Sequence, residues 1–241
     1  ITSMAVAHNH PELFAKDFFL NNPSNFRIYF QLHVLLVSWL GPLFGNYSLA
    51  FVVLLFPTVL LTLTGVYWFG RSIFGSRIWA TLLVVYNSIP LYLLFENWGL
   101  AEDAVPRTLM QALLPFLLCL IWLWRDQPYK WPWIAFATGL LAYIHAVGTP
   151  TIMAVVLLSL LSQMPRQWGF SKKLAYTTVL AGIMLLAASV FILNYLGARN
   201  HGEIVAYAQM INLYRAYFPA DILNVSSAVV KLFCYFYIFS I

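Results

Sequence analysis

The sequence predicts an all-α fold, a polytopic bundle of transmembrane helices with an external interfacial helix, and three observations support this prediction. Hydrophobic residues make up 62% of the 241 residues and charged residues only 9%, whereas a soluble domain carries about 25% charged residues. The mean hydropathy is +0.79. Apolar runs of about 20 residues, the length that an α-helix needs to cross a bilayer, recur along the chain. The composition excludes a soluble enzyme, a disordered chain and a water-soluble nucleic-acid-binding module.

Two domains are expected, an external segment of residues 1–46 and a transmembrane helical domain of residues 47–241. About six to seven spans are predicted, and their runs are continuous rather than alternating, which excludes the strands of a membrane barrel. The predicted spans are residues 47–69, 77–95, 108–124, 133–147, 151–163, 174–196 and 222–241. The chain begins without Met and ends inside an apolar run, so we expect it to be a fragment, truncated at both ends.

The fourth and fifth predicted spans are short and flank the sequence Gly148-Thr149-Pro150. A glycine and a proline at this point interrupt helical hydrogen bonding, and the freed backbone groups need partners inside the protein or in water. The two runs are therefore either two short spans or one long helix that is broken near one face of the membrane.

Residues 28–40 are predicted to form an amphipathic helix that lies in the external interface. The run is too short to span a bilayer, and the polar residues Gln31 and His33 interrupt it. We expect His33 to lie on the polar face of this helix and Gly41-Pro42 to end it.

The charges of the connecting segments predict which side of the membrane each segment faces. A basic set carries seven Lys and Arg residues and one acid, and it consists of residues 71–77, 125–131 and 165–173. An acidic set carries five basic and seven acidic residues, and it consists of residues 1–27, 96–107 and 198–221. Because basic loops are enriched on the cytoplasmic side, we expect the basic set inside the cell and the acidic set outside.

Several residues in this order of elements match a known pattern. In the first half they are Tyr29, Leu32, Leu35, Gly41-Pro42-Leu43-Phe44-Gly45, Tyr67-Trp68, Gly70-Arg71 and Phe74-Gly75-Ser76-Arg77. In the second half they are Val105-Pro106-Arg107-Thr108, Pro115, Gly139-Leu140, Tyr143-Ile144-His145 and Gly148. Over residues 14–162 the chain thereby resembles the GT-C superfamily of integral-membrane glycosyltransferases, in particular uncharacterised bacterial members.

The resemblance implies many transmembrane helices, a large first external loop, and a carboxylate early in that loop that acts as a base or metal ligand. It also implies that a polyprenyl phosphate carrying the sugar binds near basic groups at the external face. The acidic pair of the class follows a first transmembrane helix that this sequence lacks. Either the key carboxylate lies outside the sequence or Asp17 takes its place.

Asp17 is the predicted catalytic residue, because it is an acid among aromatic residues that suit the membrane interface. As a general base it would deprotonate the acceptor hydroxyl. The alternative is a solvated charge pair between Asp17 and Lys16.

Glu102 and Asp103 are the predicted metal ligands, since adjacent carboxylates suit Mg²⁺ or Mn²⁺. They could equally be favoured by the positive end of the helix that Pro106 opens. Arg107 is a predicted ligand of the lipid phosphate, because a guanidinium pairs with phosphate oxygens; its alternative is an ion pair with Glu102 or Asp103.

His145, Arg199 and Arg215 complete the predicted substrate-binding set. His145 ends an apolar helix near the outer face, where ionisable groups usually face a cavity or the bundle interior. Its alternative role is a hydrogen bond to a neighbouring carbonyl. Arg199 and Arg215 alternate with tyrosines in the last external segment, where the aromatic residues could line a sugar cleft or belong to the interfacial aromatic belt.

The sequence therefore predicts a glycosyltransferase-like protein of the bacterial inner membrane that uses a polyprenyl-phosphate donor at the periplasmic face. The expected partners are the lipid bilayer and the lipid-linked sugar, with no nucleic acid. Two alternatives stay open, a permease or flippase for a lipid-linked or hydrophobic substrate, and a membrane subunit without a catalytic site. The sequence contains no P-loop, GxGxxG, GxSxG or HExxH motif, so ATP-driven transport and the common hydrolase mechanisms lack support.

Overall fold

The computed structural model of the chain describes residues 2–17, 20, 31–88, 91–93, 96–98, 106–146 and 148–200. Residues 1–194 belong to one compact unit. The α-helices of the described part are α1 (Thr2–Asn9), α2 (Gln31–Phe44), α3 (Tyr47–Val53), α4 (Leu55–Phe74), α5 (Arg77–Ser88), α6 (Pro106–Leu123), α7 (Trp131–Leu140), α8 (Thr149–Ser162), α9 (Phe170–Ala187) and α10 (Ser189–Asn200). Short 3-10 helices cover Pro11–Phe14, Pro128–Lys130 and Leu141–Tyr143. The predicted helical class is confirmed.

A small hairpin is the one β element among the residues that the structure describes. Strand β1 (Leu91–Leu93) pairs antiparallel with β2 (Glu96–Trp98), with Leu91 opposite Trp98. The sequence predicts helix at residues 91–93, as part of a span over residues 77–95. Helix α5 instead ends at Ser88 after 12 residues, which is about 18 Å at 1.5 Å per residue. Pro90 follows two residues later, and a proline disfavours the helical conformation of the residue before it.

Three helical stretches in the described part are long and apolar enough to cross a membrane. They are Tyr47–Phe74, in which α3 and α4 join through Leu54, Pro106–Leu123 and Phe170–Ala187. The chain is therefore a membrane protein. The described residues hold fewer spans than the predicted six or seven. The apolar runs at residues 77–95 and 133–147 are divided into shorter elements, and the run at residues 151–163 lies in the single 14-residue helix α8, which is shorter than a span. The predicted span over residues 222–241 lies outside the described residues.

The two short helices around Gly148 pack against each other. Helix α7 ends at Leu140, a 3-10 turn follows, and α8 begins at Thr149 and returns along α7. Of the two alternatives, the structure therefore shows two separate helices rather than one long broken helix. Helices α6 to α9 enclose a common hydrophobic core, whose largest fully buried side chains are Trp131, Ile134, Leu160, Leu180 and Met184.

Helix α2 continues through Gly41-Pro42 to Phe44, so the expectation that these residues end it is wrong. Pro42 has no N–H with which to bond the carbonyl of Ser38, four residues earlier. The side-chain amide of Asn9, on α1, donates to that carbonyl at 2.7 Å and also to the Tyr47 hydroxyl at 2.9 Å. The partner that Pro42 cannot supply thus comes from another helix, and α2 stays regular.

The buried face of α2 carries polar residues. His33 is 1% exposed and Ser38 is also buried, beside Val34 and Val37, so the expectation that His33 lies on a water-facing polar side is wrong. Exposed apolar residues occupy the other side of the helix, namely Leu32, Leu35, Trp39 and Leu43. A helix with polar groups inward and apolar groups outward suits a hydrocarbon environment better than water.

The basic segments meet at one end of the bundle. Helices α4 and α6 run side by side in the same direction, since Gly65 faces Phe116 and the Trp122 indole donates to the Ser72 carbonyl at 3.0 Å. At the same end, Trp131 at the start of α7 packs on Tyr176 near the start of α9. Residues 71–77, 125–131 and 165–173 therefore share this end of the bundle, which we call the basic end.

Candidate functional site

The far end of α6 from the basic end carries two of the predicted substrate-binding residues. Pro106 opens the helix and is fully buried, whereas Arg107 is exposed. One turn further along α6, the side chain of Met110 lies against Gly148, so close that a Cβ on Gly148 would be 2.6 Å from the Met110 methyl carbon. The loop that follows His145 therefore packs directly on the first turn of α6.

His145 is held in this loop by its own backbone neighbours. The N–H of Gly148 donates to Nδ1 of His145 at 3.0 Å, and the Thr149 hydroxyl donates to the His145 carbonyl at 2.9 Å. Because Nδ1 accepts a hydrogen bond, the neutral imidazole carries its proton on Nε2. The sequence predicted for His145, as an alternative to substrate binding, a hydrogen bond to a neighbouring carbonyl. It did not predict that the imidazole would accept a hydrogen bond from a backbone N–H.

Burial and charge act together on His145, which lies between the 3-10 turn and α8 and outside the three candidate spans. Partial burial lowers the pKa of His145 below its ordinary value of 6.5, and the positive charge of Arg107 lowers it further. A hydrogen bond with the backbone of His145 itself raises this pKa and is the smallest influence. The structure thus brings Arg107 and His145 together and favours the neutral imidazole at neutral pH.

This arrangement has the elements of an anion site. Arg107 supplies a permanent positive charge with a fork of N–H donors that matches two phosphate oxygens. Helices α6 and α8 both begin here, and the N-termini of helices favour negative charge. His145 stays neutral, so it adds a hydrogen-bonding imidazole without repelling Arg107. Phosphate binding is the chemistry that these groups have in common.

Asp17 belongs to a different part of the fold. Its side chain is exposed, and its Oδ1 accepts a hydrogen bond from the backbone N–H of Leu20 at 2.8 Å. The segment packs on a second hydrophobic cluster, formed by Met4, Ala5, Val34, Val37 and Ala50. Asp17 and the Arg107–His145 pair are therefore built on two separate clusters, and the carboxylate caps its own turn.

The remaining predicted site residues are not among those whose side chains the structure describes. Glu102, Asp103 and Arg215 are outside the described residues, and Arg199 is on α10 with its side chain not described. Among the residues that are described, no group of three His, Cys, Asp or Glu side chains could hold a metal ion. The Mg²⁺ or Mn²⁺ site at Glu102 and Asp103 stays a prediction.

Sequence reasoning missed the residues that build the site around Arg107 and His145. Met110 and Gly148 set the close approach of the loop to α6, and Thr149 is buried and ties the loop to the start of α8. The sequence did contain a signal for Thr149, because Gly148-Thr149-Pro150 places a hydroxyl beside a proline that opens a helix. Met110 looks like any other apolar residue of a span, so nothing in the sequence singles it out.

The fold and the distribution of charge define a helical membrane protein with a basic end and, at the start of α6, a candidate anion site. Comparison of the chain with protein-family models, with curated proteins and with solved structures finds no match in any of the three.

Proposed function

We propose that the protein is a membrane glycosyltransferase of the GT-C type, which transfers a sugar from a polyprenyl-phosphate donor at the periplasmic face of a bacterial inner membrane. The observation that carries the proposal is the packing of the His145 loop on the start of α6, where Gly148 contacts Met110 one turn after Arg107 and donates to His145. This end of the bundle lies away from the basic end, as expected if the basic segments are cytoplasmic.

The chemistry follows from the charge that develops on the donor. When the bond between the sugar and the phosphate breaks, the lipid phosphate leaves with an additional negative charge, and groups that bind this charge lower the barrier. Arg107 is assigned this role, with the positive ends of the α6 and α8 helix dipoles adding to the attraction. His145 is assigned a hydrogen bond to the phosphate, and Arg199 and Arg215 are assigned to the rest of the lipid-linked sugar.

The acceptor side of the reaction needs a base. Asp17 is assigned to accept the proton of the acceptor hydroxyl, and Glu102 with Asp103 are assigned to hold Mg²⁺ or Mn²⁺ if the enzyme uses one. The backbone N–H of Leu20 donates to Oδ1 of Asp17 and holds this carboxylate in its turn.

Binding of the lipid phosphate is the direct test. Undecaprenyl phosphate is titrated against the purified full chain in detergent micelles, and binding is followed by native mass spectrometry. Arg107→Gln should weaken binding about tenfold or more, which corresponds to the loss of one charge-assisted contact of roughly 1.5 kcal/mol. Arg107→Lys should retain part of the affinity.

The matched control is Arg125→Gln, an exposed arginine at the basic end. It should leave binding of undecaprenyl phosphate unchanged. Equal affinity of the wild type and Arg107→Gln would contradict the phosphate site. In parallel, membranes that contain the protein are assayed for sugar transfer from polyprenyl-phosphate sugars, and unchanged transfer in Asp17→Ala would remove Asp17 from the mechanism without removing the class.

A permease or flippase for a lipid-linked substrate is the second candidate, and one contact favours it. Helix α7 breaks into a 3-10 turn at Leu141, and α9 and α10 are separated at Ala188. The Tyr143 hydroxyl joins the two interruptions by donating to the Ala187 carbonyl at 3.1 Å. Transporters often build their sites from interrupted helices that meet. Movement of a fluorescent polyprenyl phosphate across proteoliposome membranes, without any transfer of sugar, would favour this candidate.

A further inference from the structure

Three cations of the basic end lie on aromatic rings. The Arg125 guanidinium lies 4.3 Å from the centre of the Trp122 ring, the Lys130 ammonium 5.4 Å from that of Trp124, and the Lys172 ammonium 4.4 Å from that of Trp168. Lys130 also lies 5.7 Å from the Tyr129 ring. Contacts of this kind attract a cation to the ring face without neutralising its charge.

The rings of Trp124 and Trp168 pack against the hydrophobic core. Trp131, which is 0% exposed, donates its indole N–H to the Trp124 carbonyl at 2.8 Å. Tyr176 packs against Trp131 with ring centres 6.1 Å apart and against Trp168 at 5.4 Å, and its hydroxyl donates to the Pro128 carbonyl. Lys130 and Lys172 are therefore positioned by one connected row of rings, which joins the end of α6 to the starts of α7 and α9.

The charge of this row is not cancelled by acids. The three basic segments contain a single acidic residue, Asp126, and its carboxylate pairs with Arg125 at 3.3 Å. Across the described part of the chain, neither Lys130 nor Lys172 forms an ion pair with a carboxylate. An ammonium has three N–H donors, and a ring face engages only part of this capacity. Two ammonium groups are thus left to attract an anion from outside the protein.

The position of the row indicates where that anion comes from. Candidate span α6 ends at Leu123 and candidate span α9 begins at Phe170, so the row lies at the level where a bilayer changes from hydrocarbon to head groups. Exposed apolar and aromatic side chains surround it, namely Tyr129 (73% exposed), Trp133 and Phe170. Such side chains suit the membrane interface and not a site for a water-soluble anion.

We propose that the aromatic row at the basic end binds the phosphodiester head group of an acidic phospholipid, with Lys130 and Lys172 as its ligands. The site lies at the other end of α6 from Arg107 and does not depend on the proposed sugar transfer. The bound lipid belongs to the bilayer leaflet at the level of the basic end and has a structural role. Bound there, it ties the end of α6 to the starts of α7 and α9.

The test compares two lipids with the same acyl chains, phosphatidylglycerol and phosphatidylcholine, titrated against the full chain in detergent micelles and counted by native mass spectrometry. The wild type should bind phosphatidylglycerol more tightly. The double variant Lys130→Gln with Lys172→Gln should weaken this binding about tenfold to thirtyfold, since each basic residue near a lipid surface contributes about 1 kcal/mol. Equal affinity of the wild type for the two lipids would overturn the proposal.

The matched control removes the same number of charges from the same end without touching the rings. Arg166→Gln with Lys173→Gln should lower the affinity by less than threefold. If both double variants weaken binding equally, the attraction is diffuse and the proposal is wrong. Glycerol phosphate at millimolar concentration supplies the head group without the chains, and displacement of the lipid by it would show a site for soluble phosphates instead. The replaced side chains are exposed or half-buried, and an unchanged melting temperature confirms that the variants fold.

Discussion

Asn9 and Pro42 show how a single side chain can decide whether a helix continues. A proline inside a helix normally removes a hydrogen bond and costs about 3 kcal/mol or more. Here the carbonyl that Pro42 leaves without its helical donor, that of Ser38, receives one from the Asn9 amide at 2.7 Å. Asn9 comes from α1, twenty-nine residues earlier in the chain, so the continuity of α2 depends on a tertiary contact.

Replacing Asn9 by Ala should lower the free energy of unfolding by about 1–2 kcal/mol, because the buried Ser38 carbonyl loses a donor. The measurement is chemical denaturation in detergent micelles. In the background of Pro42→Ala, the new backbone N–H can donate to Ser38 within the helix, so the same substitution should cost less. An equal cost in the two backgrounds would show that the Asn9 amide does not replace the missing proline donor.

His145 should make the stability of the protein depend on pH. Its pKa is lowered on folding, by burial first and then by Arg107, so the unfolded chain binds a proton more readily than the folded one. The contribution of His145 to stability is therefore complete above pH 6.5, the ordinary value, and is lost as the pH falls below it. Melting temperatures between pH 8 and pH 5 test this.

The His145→Asn variant is the control for these melting temperatures. The substitution His145→Asn keeps a hydrogen-bond acceptor for the Gly148 N–H but cannot titrate. The variant should lose stability less steeply than the wild type below pH 6.5, and the other histidines cancel in the difference. Identical slopes in the two proteins would exclude His145 as a source of the pH dependence.

Glycine determines how closely α7 and α9 approach each other. A Cβ on Gly139 would overlap the Met184 carbonyl and lie 2.6 Å from the Cβ of Ala187. Close contact of this kind allows two helices to pack through their backbones, as small residues do in membrane bundles. Near this crossing, the Tyr143 hydroxyl donates to the Ala187 carbonyl at the end of α9.

Gly139→Ala should therefore lower the free energy of unfolding by about 1–3 kcal/mol, as overpacking does in a well-filled interior. Gly182→Ala is the matched control on α9, because no atom lies within 4 Å of a Cβ built at that position. It should leave stability unchanged or raise it by up to about 1 kcal/mol through helix propensity. A Gly139→Ala variant as stable as Gly182→Ala would contradict the close crossing.

Charge divides the molecule into two ends. The basic segments meet at the end of α6, whereas Arg107 and His145 lie at its start, and basic segments are enriched on the cytoplasmic side of membranes. The segment of Asp17 precedes α3 and α4, which run toward the basic end. With a cytoplasmic basic end, this segment is expected outside the cell together with the candidate phosphate site.

Cysteine labelling tests this orientation in intact cells. In a background without Cys119 and Cys234, Lys16→Cys should react with a membrane-impermeant maleimide from outside. Tyr129→Cys, at the basic end, should react only after the cells are made permeable. Both side chains are exposed, so neither is protected by the protein. The reverse pattern would invert the orientation and place the candidate phosphate site in the cytoplasm, which would contradict the proposed periplasmic transfer.

The sequence alone predicts the apolar helices and the basic segments, because hydropathy and net charge are sums over neighbouring residues. The helical class, the spans over Tyr47–Phe74, Pro106–Leu123 and Phe170–Ala187, and the separation of basic from acidic segments depend on runs of one residue type. Where a run was long but its local conformation was mixed, the prediction failed. Residues 77–95 are mostly apolar, yet α5 ends at Ser88 and residues 91–93 form strand β1.

Contacts between distant parts of the chain required the folded structure. The approach of His145 to Arg107, the inward position of His33 and the bond from Asn9 to Ser38 each join helices whose relative placement no local pattern encodes. Hydrophobicity has no direction, so it assigns a segment to the membrane without choosing its neighbours. Hydrogen bonds and close packing are directional and short-ranged, and they choose those neighbours once the helices meet.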